Sequence, residues 1–247
     1  MQIHNLVKTS LIEYPNKIAC VVFTQGCMWR CWYCQNAELL PQKGGQTTEQ
    51  EVFDFLKMRK GMLDGVVICG GEPTMQPDLK QFIKKVKNLG FCVKLDTNGT
   101  NPDVLQDLLL EELLDYVAMD IKAPIQNYAE VTNTQVDANN IKKSIDILLN
   151  SNIDYEFRTT AIPTLKAEDF LQIAQTISGA HAYYVQHFVK PKNYNCIQQL
   201  FDDATLAQIV TTATSLFQQN LDKFDLISFI FELLYHFNCK KYKKMLY

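Results

Sequence analysis

Short apolar runs alternate with longer amphipathic stretches along most of the chain, and the alternation predicts a series of strand–helix units. Ile18 to Thr24 (IACVVFT) is a β-type run. Thr48, with Glu51 three residues on, has the form of a capping box, and Val52, Phe55, Leu56 and Met62 then mark the apolar face of a helix. Val66 to Cys69 reads as a second strand ending in Gly70-Gly71-Glu72-Pro73-Thr74, and Leu79, Phe82, Ile83 and Val86 after Pro77 read as a second helix. The cycle repeats with strand Cys92 to Asp96, the turn Asn98-Gly99, and a helix from Pro102, whose fixed φ suits a first-turn position. Strand Tyr116 to Ile121 precedes a helix carrying Ile141, Ile145, Leu148 and Leu149. Tyr155 to Ala161, a helix from Phe170 to Ile177, and a strand from Tyr183 to Val189 complete the series.

Six such alternations imply an α/β protein: a parallel sheet with helices outside, curling through right-handed crossovers into a partial (β/α)6 TIM-like barrel. The expected division is a barrel over 1–200 and a C-terminal helical extension over 201–247, packed on the same domain. In such an architecture function collects at the C-terminal strand ends. Those ends read as a cysteine loop, GGEPT, DTNG, MDIK, RTTA and QHF, a concentration of polar groups that chance surface placement would scatter.

Composition adds bounds. With 247 residues, 47% hydrophobic and 21% charged, the chain has the makings of one globular domain with a sizeable core. A net charge of −3 without a basic block speaks against nucleic-acid binding. The opening MQIHNLVKTSLIEYP has no signal-peptide apolar core, so a cytoplasmic protein is expected. LISFIFELLYHFNCKKYKKMLY, at the far end, is too short and too charged to span a membrane and reads as a capping or partner-docking helix, with a membrane-surface helix as the alternative.

The chemistry centres on Gly26 to Asn36 (GCMWRCWYCQN). Cys27, Cys31 and Cys34, spaced Cys-x3-Cys-x2-Cys, put three thiolates on one short curved loop, where they can reach three corners of an iron-sulfur cube. The fourth corner has no ligand there, and an open iron can bind a substrate or cofactor directly. Structural zinc would want four ligands, usually from a second pair that this sequence lacks, and three ordinary buried cysteines are the plainest alternative. Asp96 closes an apolar strand, where a carboxylate is costly unless paired, and Asp120 and Lys122 share a face one strand later, as a mutual ion pair or a ligand site.

The cysteine pattern, with Tyr33 directly before the last cysteine, resembles the signature of the radical S-adenosylmethionine enzymes. The resemblance implies a radical SAM type of barrel holding a [4Fe-4S] cluster, sensitive to oxygen, whose open iron is chelated by S-adenosylmethionine. It places Tyr33 near the adenine and the backbone of Gly70, Gly71 and Glu72 at the methionine amino group. Closer likeness is to the glycyl radical enzyme activases. It implies Asp96 at the cofactor amino group and at a monovalent cation, Asp120 at that cation and the peptide substrate, Lys122 and Arg158 at the methionine carboxylate, and His187 at the ribose. Leu6 to Cys27 resembles the N-terminal stretch of anaerobic ribonucleoside-triphosphate reductase activating proteins, and Gln35 to Gln50 lacks the cysteine block of activases with added clusters. The implied partners are a glycyl radical enzyme, that reductase first, and a flavodoxin- or ferredoxin-type electron donor. A pyruvate formate-lyase type of partner, a small nucleoside-like substrate and a noncatalytic iron-sulfur or zinc scaffold are the alternatives. Gln35 stands where many activases have His.

Overall fold

The computed structural model describes residues 1–191 and 200–219. Its frame is a seven-stranded sheet in which the strands lie in sequence order, β1 (Ile3–Ser10), β2 (Ala19–Thr24), β3 (Gly65–Gly70), β4 (Cys92–Thr97), β5 (Tyr116–Asp120), β6 (Asp154–Ala161) and β7 (Tyr183–His187). From β2 to β7 every neighbouring pair is parallel, and β1 and β7 are the two edges. The six expected strands are these parallel ones. The seventh, β1, runs antiparallel to β2, and the sequence pattern did not reveal it.

Helices α1 (Glu49–Met58), α2 (Leu79–Asn88), α3 (Pro102–Leu110), the short α4 (Tyr128–Thr132), α5 (Ala138–Leu149), α6 (Ala167–Thr176) and α7 (Asp203–Gln219) alternate with the strands. The capping box at Thr48 and Glu51 is present, and Pro102 occupies the first turn of α3. One core position fails: α1 ends at Met58, the chain turns through Gly61 at φ +79°, and Met62 is exposed rather than packed.

Alternation along each strand divides the sheet. One face packs Cys20, Val22, Val66, Ile68, Val93, Leu95, Val117 and Met119 against the helices' apolar stripes, Phe82, Ile83, Leu105, Ile145 and Leu148 among them. Each fully buried side chain of this kind contributes about 1.5–3 kcal/mol. The other face has a small apolar floor of Tyr14, Ala19, Val21 and Val67, above which the inward positions of β4, β5 and β6 become charged. Leu206 and Ile209 of α7 join the main core. The predicted C-terminal tail, from Leu226 on, lies outside the described residues. Among the described residues no helix is long and apolar enough to cross a membrane.

Candidate cofactor site at the strand C-terminal ends

The cysteine loop leaves the first parallel strand and reaches the last. Gly26, at φ +101°, turns the chain out of β2, and its N–H donates to the Leu39 carbonyl at 2.7 Å. The Gln25 amide braces the returning leg at the Glu38 and Pro41 carbonyls, 2.9 Å each. Further along, the Arg30 N–H donates to the Thr132 carbonyl at the end of α4 at 2.9 Å, and buried Trp29 meets Tyr128 edge-on at 5.8 Å. Trp32 lies 6.0 Å from Phe188, and the Gln35 amide donates to the Val189 carbonyl, both just past β7. Gln35, in place of the usual His, therefore ties the loop across the mouth.

Cys27 is buried, Cys31 and Cys34 are half-buried, and all three are free thiols. Burial pushes Cys27 up to about 11 and raises Cys31, so each thiol keeps its proton until a cation takes its place. Among the described residues no three His, Cys, Asp or Glu side chains gather closely enough to hold a single metal ion. A cube, with a separate iron for each thiolate, asks for wider spacing than one ion does. Beside the thiols, the Tyr33 hydroxyl is buried without a hydrogen-bond partner, an orphaned donor for an incoming ligand. These features fit a cluster with a ligand against it.

The β3 end closes on this loop backbone to backbone. A Cβ at Gly71 would lie 2.0 Å from the Gly26 carbonyl oxygen, and one at Gly70 2.4 Å from the Thr24 nitrogen. The Gly71 and Glu72 N–H groups donate to Thr24 and Gly26 at 3.0 and 2.8 Å. Glu72 is 1% exposed, and its carboxylate is spent within the protein. One oxygen accepts from the Thr74 N–H at 3.1 Å and from the hydroxyls of Thr74 and Thr97 at 2.5 and 2.8 Å; the other accepts from the Asn98 N–H at 2.7 Å. Burial raises its pKa against the pull of these four donors. The GGE turn thus spends its Gly71 and Glu72 N–H groups on the cysteine-loop strand, while the Glu72 side chain locks β3 to β4.

Asp96, Asp120, Lys122 and Arg158 come together as one ion network on the inner face. Arg158 bridges two carboxylates, Nη1 to Asp96 Oδ2 at 3.1 Å and Nε to Asp120 Oδ1 at 2.9 Å, and Lys122 Nζ bonds Asp120 Oδ2 at 2.8 Å. Burial alone would raise Asp120, but the charges and hydrogen bonds of Arg158 and Lys122 hold it well below the usual carboxylate range. Lys122 also sits over the Tyr33 ring, 5.9 Å from its centroid, joining the network to the cysteine loop. His187 ends β7 and pairs with Asp203 of α7 at 3.7 Å. Sequence reasoning missed Lys94 and Glu156, one turn of the pleat deeper. The signal was there: Lys94 precedes Asp96, and Glu156 precedes Arg158, by two positions on the same face. Beside Gly26, a cleft of about 470 Å³ is lined by Met1, Gln2, Gln25, Gln42 and Gln76 among others, and holds none of the expected site residues.

Residues 21–177 match the model of the radical SAM superfamily. A provisionally named glycyl-radical enzyme activating enzyme from Methanocaldococcus jannaschii is 39% identical over 201 residues, 77% of this chain and 81% of that protein. The pyruvate formate-lyase 1-activating enzyme of Escherichia coli (strain K12) is 29% identical over 178 residues, 68% of this chain and 70% of that protein. Among solved structures, Streptococcus suis SuiB bound to S-adenosylmethionine superposes with a TM-score of 0.64 at 15% identity, covering 78% of this chain and 45% of that one. That likeness concerns the fold.

Proposed function

The chain belongs to the radical SAM superfamily, among its glycyl-radical enzyme activating enzymes, and on that premise we propose that it activates an anaerobic ribonucleoside-triphosphate reductase. A [4Fe-4S] cluster and S-adenosylmethionine are the cofactors of this family, and when bound they supply one electron and the radical that takes a hydrogen atom from a glycine Cα. Everything else falls to the chain's own residues.

Cys27, Cys31 and Cys34 would hold the cluster. Lys122 and Arg158 bind the methionine carboxylate, the backbone of Gly70, Gly71 and Glu72 with Asp96 binds the amino group, Tyr33 lies against the adenine, and His187 serves the ribose. Asp120 orients both cations and meets the substrate peptide. The observation that carries this reading is the mouth itself, where a loop bearing three free thiols closes over Lys122, which shares Asp120 with Arg158. Buried Trp29 and Tyr33 exclude water on the loop side, which strengthens each electrostatic contact beneath. The choice of reductase as partner is supported by Leu6 to Cys27, the stretch that resembles activating proteins of that enzyme and here builds β1, β2 and their connection. A flavodoxin- or ferredoxin-type protein delivers the electron.

The test mixes anaerobically reconstituted protein, S-adenosylmethionine, a strong reductant and the same organism's anaerobic reductase, with paramagnetic resonance as the readout. A glycyl radical doublet that requires every component is the expected result, and Cys31→Ala abolishes it together with bound iron. Cleavage of S-adenosylmethionine without a doublet would remove the reductase as partner; cleavage retained by Cys31→Ala would remove the cluster assignment.

A further inference from the structure

The charged network inside the barrel already sets a protein cation against each carboxylate, where resemblance placed a monovalent cation between Asp96 and Asp120. Arg158 already stands between them, bonded to both carboxylates. Of their remaining oxygens, Asp120 Oδ2 accepts a hydrogen bond from Lys122 Nζ at 2.8 Å, while Asp96 Oδ1 is buried without a hydrogen-bond partner and has Lys94 Nζ as its counter-charge at 3.2 Å. Glu156 adds a third carboxylate, 3.7 Å from Arg158 and 3.9 Å from Lys94, and accepts the Tyr116 hydroxyl at 2.6 Å. Three carboxylates thus meet three cations. A metal cation would bring a fourth positive charge to a balanced set, in surroundings where charge that lacks a counter-charge is costly.

The three cations differ in freedom. Lys122 and Arg158 are the groups proposed above to engage the cofactor carboxylate. Lys94 is fixed: its side chain is 3% exposed, Nζ donates to the Glu13 carbonyl at 2.7 Å, and the ammonium lies 5.6 Å from the centre of the Tyr116 ring. When Arg158 turns to a ligand, Lys94 remains the counter-charge of Asp96 at 3.2 Å. A compact ammonium is the side chain closest in charge and size to a potassium ion.

We propose that Lys94 is a built-in substitute for the monovalent cation, a positioning residue that balances and fixes Asp96 beneath the site, so that this chain binds S-adenosylmethionine without potassium or sodium. The inference rests on the S-adenosylmethionine site proposed above.

Calorimetric titration of the cluster-loaded full-length protein with S-adenosylmethionine in potassium, sodium and tetramethylammonium chloride at matched ionic strength tests it. Melting temperature in the same salts without S-adenosylmethionine is the second readout. Wild type should show affinities within about twofold across the salts, since screening is held constant, and one melting temperature. Lys94→Gln should bind about tenfold more weakly in tetramethylammonium, having lost a buried charge partner, and recover on adding potassium. A wild type that needs potassium or sodium overturns the proposal, as does a Lys94→Gln protein with wild-type affinity in every salt. If Lys94→Gln does not fold, Lys94→Gln/Glu156→Gln, which removes one charge of each sign, replaces it with the same expectation. Absence of S-adenosylmethionine binding in every salt would instead remove the cofactor site, and the melting comparison would still decide the cation question.

Discussion

Replacing Glu72 with Gln keeps the outline of a buried side chain and exchanges one acceptor oxygen for an NH2 group. The structure dictates where that group goes. The oxygen with three donors must stay an acceptor, so the amide nitrogen takes the position that now accepts the Asn98 N–H at 2.7 Å. Two donors then face each other in a site 1% exposed, and the Asn98 N–H loses its partner. An orphaned buried N–H costs about 1–3 kcal/mol, and the three remaining bonds weaken from charge-assisted to neutral. A total of about 3 kcal/mol follows, which for a chain of this size lowers the melting temperature by about 6–12 °C. Circular dichroism melts of the cluster-free protein at neutral pH measure it, with S-adenosylmethionine affinity of the reconstituted protein as the companion readout. If Glu72→Gln melted within about 2 °C of wild type while losing affinity, the carboxylate would belong to the ligand and the locking role would be refuted.

Gly71→Ala places a methyl group 2.0 Å from the Gly26 carbonyl oxygen and 2.6 Å from its carbon, neither of which can move without moving the cysteine loop. It should cost about 1–3 kcal/mol by overpacking and leave less iron per protein after anaerobic reconstitution; wild-type iron content and melting temperature would contradict the contact. Asp120, held low by Arg158 and Lys122, contributes stability that is present above its unfolded value near pH 4 and lost as pH falls towards its lower folded value. Melting temperature against pH should therefore fall steeply below about pH 4 in wild type and more gently in Asp120→Asn; parallel acid limbs would show that the carboxylate is not held ionised by these partners.

The first parallel strands were legible because both of their faces are spoken for: ACVVFT and GVVIC bury most of their side chains, and such runs are unlike anything on a surface. Edge strand β1 was not, since of IHNLVKTS only Ile3 and Ser10 are buried, which leaves no apolar period to find. The strand-end residues were visible as types, but their division of labour was not. Nothing in the letters GGE says that the carboxylate turns inward to four donors, because that depends on where β4 brings Thr97 and Asn98. Lys94 escaped for a related reason. A lysine in a strand ordinarily marks the solvent face, and only the register that sets β4 beside β5, and β5 beside β6, turns it into the partner of Asp96 and Glu156.

The contact between Gln35 and Val189 joins positions 154 residues apart, and the ring contact of Trp32 with Phe188 spans slightly more of the chain. Contacts of such separation close the largest loops and come late in folding, after local strand–helix units have formed. Synthesis imposes the same order, since the cysteines are made early and the segment that pins their loop is made among the last parts of the sheet. A nascent chain therefore lacks the last two ties of its cysteine loop through most of translation. A product ending before β7 would keep much of the sheet while lacking the ties of Gln35 and Trp32 across the mouth.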